Sequence, residues 1–147
     1  MRRREFLALG VATAAWQRPG LAQQPSPPRI GVLLQVPPSE PNVAPLWKAL
    51  LDGLSEHGWE DGRNLIVEGR FGGRDAAGFR ELAADLGRVN VRALLAANPH
   101  SIAGALQATA TIPIVMLGGV DPVRSGWVKS LSRPEGNLTG LAVETHT

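Results

Sequence analysis

The chain has 147 residues, no cysteine, and 15 Lys plus Arg against 13 Asp plus Glu. The missing cysteines exclude a disulfide framework, a thiolate metal site and a lipid anchor at a lipobox. The sequence pI of 9.9 suggests a nucleic-acid partner, but the basic residues are unevenly placed along the chain.

The amino end reads "MRRREFLALGVATAAWQRPGLAQQP". Three arginines, Arg2 to Arg4, precede an apolar run from Phe6 to Trp16, and small residues follow around Gly20 to Ala22. A positive start, a short apolar run and small residues form an export signal, here residues 1–22 with cleavage between Ala22 and Gln23. The run falls short of the roughly 20 residues that cross a bilayer. The arginines before Phe6-Leu7 resemble a twin-arginine signal, with the general secretory route as the alternative. The expected location is therefore the periplasm. Arg2, Arg3, Arg4, Arg18 and Glu5 all lie in this leader, which leaves 11 basic and 12 acidic residues, a net charge of −1, from Gln23 on. The remaining arginines are scattered singly among acids, so no nucleic-acid partner is expected.

"QQPSPP", 23–28, is a Pro-rich tether that can join neither a helix nor a central strand. Next, "RIGVLLQ" is apolar on both faces, as in a strand buried on both sides of a parallel sheet. In "NVAPLWKALLDGLSEHGW", Val43, Leu46, Trp47, Leu50, Leu51 and Leu54 fall at helical spacing, Gly58 is the stop, and His57 suits a helix C-terminus. The alternation continues with a strand in "NLIVEGRF", a helix in "DAAGFRELAADLGRV" with Asp75 as N-cap, a strand in "VRALLAA", a helix in "HSIAGALQATAT" and a strand in "IPIVMLG". Residues 121–131 read as a short helix or irregular turn, and 138–143 as a fifth strand.

Strands alternating with helices predict an α/β fold, a three-layer parallel sheet of flavodoxin-like order 2-1-3-4-5 with helices on both faces. In such sheets a ligand settles at the carboxyl ends of the strands, where the strand order reverses. The loops "QVPPSEPN", "NPHS" and "GGVDP" meet there, with helix starts near Val43 and Ser101 offering free amides to an anion.

Other motifs are weak. The glycines of "GRFGGRDAAG" do not fit G-x-G-x-x-G, and no P-loop follows, so a strand-to-helix turn is the better reading. His57, His100 and His146 lack metal-pair spacing, and neither a metal nor a cofactor is expected. His100-Ser101 could pair a base with a nucleophile, but no G-x-S-x-G elbow surrounds Ser101, which suits a ligand-facing helix start or a plain N-cap better. Asp121 before Pro122 either presents its carboxylate to a ligand amine or forms a turn.

Taken with the leader, "IGVLL", "LWKALLDGLSEHGWEDGRNLIVEGRF", "FRELAADL" and "ATATIPIVMLGGVDPVRSGWVKSLSRPEGNLTG" resemble the ABC transporter substrate-binding proteins of the tryptophan/tyrosine-binding (TrpX-like) group. The resemblance runs from the leader to the last residues. It implies a type I periplasmic-binding-protein fold, two lobes that close on a small-molecule ligand, and delivery to ABC permease subunits without catalysis. Carried over by position, Gln35 and Val36 would line the cleft, Asn98, Pro99, His100 and Ser101 would form its floor, and Gly118, Gly119 and Asp121 its far wall. Two departures bear on this: Pro99-His100 stands where a small residue and Ser/Thr are usual, and Glu135 stands where the pattern has a second glycine. The family's chains run to roughly twice this length, so residues 29–147 are expected to be the N-terminal lobe alone, binding weakly or not at all and self-associating through apolar surface. The alternatives are a small secreted α/β hydrolase using Ser101 or Asp121, and a truncated remnant that binds nothing.

Overall fold

The computed structural model describes residues 25–142. The expected leader and its cleavage point, Ala22 and Gln23, lie outside the described residues, as does the end of the expected fifth strand. Within them the order is β1 (Arg29–Leu34), α1 (Ala44–Glu56), β2 (Ile66–Phe71), α2 (Ala76–Arg88), β3 (Leu94–Ala96), α3 (Pro99–Ala108), β4 (Ile114–Leu117) and β5 (Leu138–Leu141). The five strands form one sheet in the order β2-β1-β3-β4-β5, every pair parallel. This is the expected architecture, with strands up to four residues shorter than their apolar runs. Residues 121–131 hold turns and no helix.

The register decides what each strand offers to each face, because side chains alternate. Leu33, Leu94, Ala96, Ile114, Met116 and Leu138 join Phe79, Ala83 and Leu86 of α2 and Ile102 and Ala105 of α3 in one buried core. Gly104 permits the close approach of α3 to α2, since a Cβ there would lie 2.6 Å from Phe79 Cβ and 2.7 Å from the Arg80 amide nitrogen.

Among the described residues the opposite face carries α1 alone, and the handedness of parallel crossovers explains why. Only the β1-to-β2 connection moves leftward in the sheet; all later ones move rightward, and right-handed crossovers send those to the other side. Helix α1 is anchored by an edge-on contact between the Trp47 and Phe71 rings, 6.3 Å between centroids, but contains no fully buried residue. Leu46, on its apolar stripe, is 68% exposed. Helical spacing thus identifies the helix, while the extent of its burial depends on what else covers that face.

Two sequence stretches are explained by local bonding. In "GWEDGRN" the Asn64 side chain accepts from the Glu60 amide at 2.7 Å and donates to the Gly58 carbonyl at 2.8 Å, while Asp61 accepts from the Val67 amide at 2.9 Å. In "GNLTG" Asn137 Nδ2 donates to the carbonyls of Thr109 (3.1 Å) and Ile112 (2.8 Å), tying the start of β5 to the loop before β4.

Candidate functional site

The carboxyl edge of the sheet is built by continuing the strand registers. Leu33 pairs with Ala96, and Ala96 with Met116, so Gln35, Asn98 and Gly118 each lie two residues past a matched position, just beyond the ends of three adjacent strands. The Gly72 amide donates to the Gln35 carbonyl at 3.1 Å and extends this row to the end of β2. The reversal of strand order lies at β1, between β2 and β3, so the crevice expected from the sequence falls on this row.

The rim residues divide by what their polar atoms already do. Asn98 is the N-cap of α3: its Oδ1 accepts the Ser101 amide at 2.9 Å, and Ser101 Oγ accepts the Asn98 amide at 3.1 Å. Ser101 Oγ–H donates in turn to the Asn98 carbonyl at 2.8 Å, and the residue is wholly buried. The hydroxyl is therefore spent on capping, and the side chain faces neither solvent nor rim. Pro99 and His100 are exposed beside it.

Asp121 Oδ1 accepts the amides of Val123 (3.0 Å) and Arg124 (3.1 Å), which makes it the former of the turn after β4. Its second carboxylate oxygen is not used in these bonds. Gly118 and Gly119 both have positive φ, 97° and 80°, so glycine is what lets the chain leave β4 in this path. Gln35 is exposed and Val36 half-buried at the end of β1.

Directly behind the row, between α1 and the sheet, lies an apolar cavity of about 340 Å³ lined by Leu34, Leu46, Trp47, Ala97 and Leu117 among others. Leu34 immediately precedes Gln35, Ala97 precedes Asn98 and Leu117 precedes Gly118, so polar rim and apolar wall share the same strand ends. This cavity is not apparent from periodicity, which predicts a filled interface. The segment after β2 also reaches this edge: Gly72, Gly73 and Arg74 follow Phe71, and Asp75 caps α2 by accepting the Gly78 amide at 2.8 Å. The position of "GGRD" directly after a parallel strand is the signal that places it there.

Among the described residues no group of three or more His, Asp or Glu is placed to hold a metal ion, and no helix is long and apolar enough to cross a membrane. The main electrostatic cluster lies on the opposite side of the sheet from α1. Arg70 Nε donates to Asp85 at 2.6 Å, its Nη1 approaches Glu68, and Glu68 also pairs with Arg29. The Arg70 hydrogen bond and charge hold the Asp85 carboxyl below the usual carboxylate range.

The sequence model of the family described as ABC transporter substrate binding protein matches residues 30–147. A tyrosine-binding protein of Clostridioides difficile is 30% identical over 102 residues, which cover 69% of this chain and 30% of that one. Among solved structures, an ABC domain of Streptococcus pneumoniae in complex with L-Trp matches with TM-score 0.69 and 27% identity, over 80% of this chain and 39% of its own. A conserved domain protein of Vibrio cholerae matches with TM-score 0.69 and 30% identity, over 78% and 38%. The chain thus spans well under half the length of these relatives.

Proposed function

Since this chain belongs to the ABC transporter substrate-binding protein family, we propose that it binds a small organic solute, an amino acid or another carboxylate, at the carboxyl edge of its sheet. The observation that carries this reading is the row of Gln35, Asn98 and Gly118 on adjacent strand ends, beside the point where strand order reverses. Exposed Gln35 and His100, the free amide hydrogens of Asn98 Nδ2 and the backbone around Gly118 and Gly119 are the contacting groups. In this reading the protein is exported, cleaved between Ala22 and Gln23, and passes its solute to ABC permease subunits from the periplasmic side.

Ser101 plays no nucleophilic part in this scheme, because its hydroxyl is buried and bonded to the Asn98 backbone. The L-Trp bound by the Streptococcus relative and the name of the Clostridioides relative make aromatic amino acids the first ligands to try. One lobe offers one wall of a cleft, so affinity is expected to be low unless a second wall is supplied.

The test is a thermal-shift titration of the chain from Gln23 against amino acids, aromatic acids and small carboxylates. A ligand at 100 times its dissociation constant stabilises the fold by about 2.7 kcal/mol, a visible rise in melting temperature. A shift confined to one chemical class supports the reading and identifies that class. A cooperative melt that no compound moves, up to millimolar concentration, counts against binding by this chain.

A further inference from the structure

Among the described residues, half of the charged side chains are in ion pairs. Arg29, Arg63, Arg70, Arg88, Lys48 and Lys129 each lie within ion-pair distance of a carboxylate. At the carboxyl edge, Asp75 and Asp121 serve backbone amides. Arg74, Arg80, Arg92 and Arg133 are exposed and have no carboxylate within 4 Å among the described residues, and of these Arg74 is the one that stands just past the carboxyl end of a strand, β2.

The backbone beneath Arg74 is held on both sides. Gly73 is buried against the Phe79 ring, where an added Cβ would lie 2.7 Å from three ring atoms. Asp75 is fixed as the N-cap of α2. Two residues before Arg74, the Gly72 amide is bonded to Gln35 of the rim. Arg74 follows Gly72 by two residues and β1 lies about 4.8 Å from β2, so the long arginine side chain leaves the chain on the β2 side of Gln35, with Asn98 one strand further on.

We infer that Arg74 holds the carboxylate of the bound solute at the β2 side of the rim, an inference that rests on the binding reading above. A guanidinium presents two parallel N–H donors that match a carboxylate, and such charge-assisted pairs are about twice as strong as neutral hydrogen bonds. The solute is then oriented with its acid group toward β2 and its apolar part toward Leu34, Ala97 and Leu117.

The experiment is calorimetric titration of the full chain, its Arg74→Ala variant and an Arg80→Ala control with L-tryptophan, L-tyrosine and their amides, which lack the carboxylate charge. Arg80 is exposed on α2 beside Gln107 and Ala108 of α3, so its removal changes net charge equally without touching the rim. Arg74→Ala is expected to weaken the acids about 10-fold and leave the amides unchanged, with Arg80→Ala moving neither. Equal loss for acids and amides, or no loss for either, overturns the role of Arg74 while the binding reading stands. Failure of the unmodified chain to bind any of the four overturns the binding reading itself, and the role of Arg74 with it.

Discussion

Asn98 and Ser101 close on each other through three hydrogen bonds, two of them the reciprocal arms of a capping box and the third from the Ser101 hydroxyl to the Asn98 carbonyl. A serine that looks available in sequence is thus part of the scaffold that starts α3. Ser101→Ala should leave the half-buried Asn98 amide without its partner and cost about 1–2 kcal/mol, read from the urea midpoint. A loss well below that would mean that the capping box contributes little.

Asp121 invites the same test at the turn after β4. Its Oδ1 takes two amides, a role that asparagine can fill, so Asp121→Asn should change stability little while Asp121→Ala costs about 1 kcal/mol. If Asp121→Asn nevertheless abolishes solute binding, the second carboxylate oxygen is a ligand contact.

Two helical glycines should respond to alanine with opposite sign. At Gly104 a Cβ would meet the Arg80 amide nitrogen and, at 2.8 Å, the Ala76 carbonyl, and backbone cannot move aside without separating α2 from α3. Gly104→Ala should therefore cost about 1–3 kcal/mol. At Gly53 in α1 nothing lies within 4 Å, so Gly53→Ala should stabilise by about 0.5–1 kcal/mol through helix propensity. Chemical denaturation of both variants decides the matter.

The Arg70–Asp85 pair predicts an acid limb in stability. Arg70 depresses the folded-state value of Asp85, so the pair's contribution is complete above the unfolded carboxyl value of about 4 and is lost as pH falls through the lower folded value. The urea midpoint should drop more steeply between pH 5 and pH 2 in the native chain than in Asp85→Asn. Parallel curves would show that the pair adds nothing, as for many exposed ion pairs.

The face beside α1 predicts behaviour in solution. Leu46, Leu117 and Leu141 are all more than 40% exposed, and the first two line the apolar cavity. A patch of this kind favours association, so the chain should show concentration-dependent self-association in sedimentation velocity and should bind a hydrophobic dye. Leu46→Lys and Leu117→Lys should reduce both signals with little change in melting temperature. Monomeric behaviour of the native chain at high concentration would contradict this.

The local vocabulary of the fold was legible without coordinates. Asp75 reads as an N-cap and accepts the Gly78 amide; His57 reads as a helix end and its Nδ1 lies 2.8 Å from the Gly53 carbonyl. The parallel layering followed from alternating strands and helices, and crossover handedness then sets which face each helix covers, rules of chain geometry that apply whatever the side chains.

The site was legible only in outline. Sequence placed "QVPP", "NPHS" and "GGVDP" at one edge, since each follows a parallel strand, but passed over "GGRD", which meets the same condition. Nor could it tell that Ser101 and Asp121 turn toward their own backbone, because a capping bond and a ligand contact ask for the same residue types.

What the sequence determined by itself, then, is the kind and order of the elements: apolar periodicity and turn chemistry act over a few residues, and a right-handed crossover leaves few ways to assemble them. What only the tertiary structure decided is which surfaces are filled. Whether Leu46 is buried, whether Arg74 has a partner and whether Ser101 faces the rim depend on groups distant in sequence, and such contacts exist only once the sheet has brought those segments together.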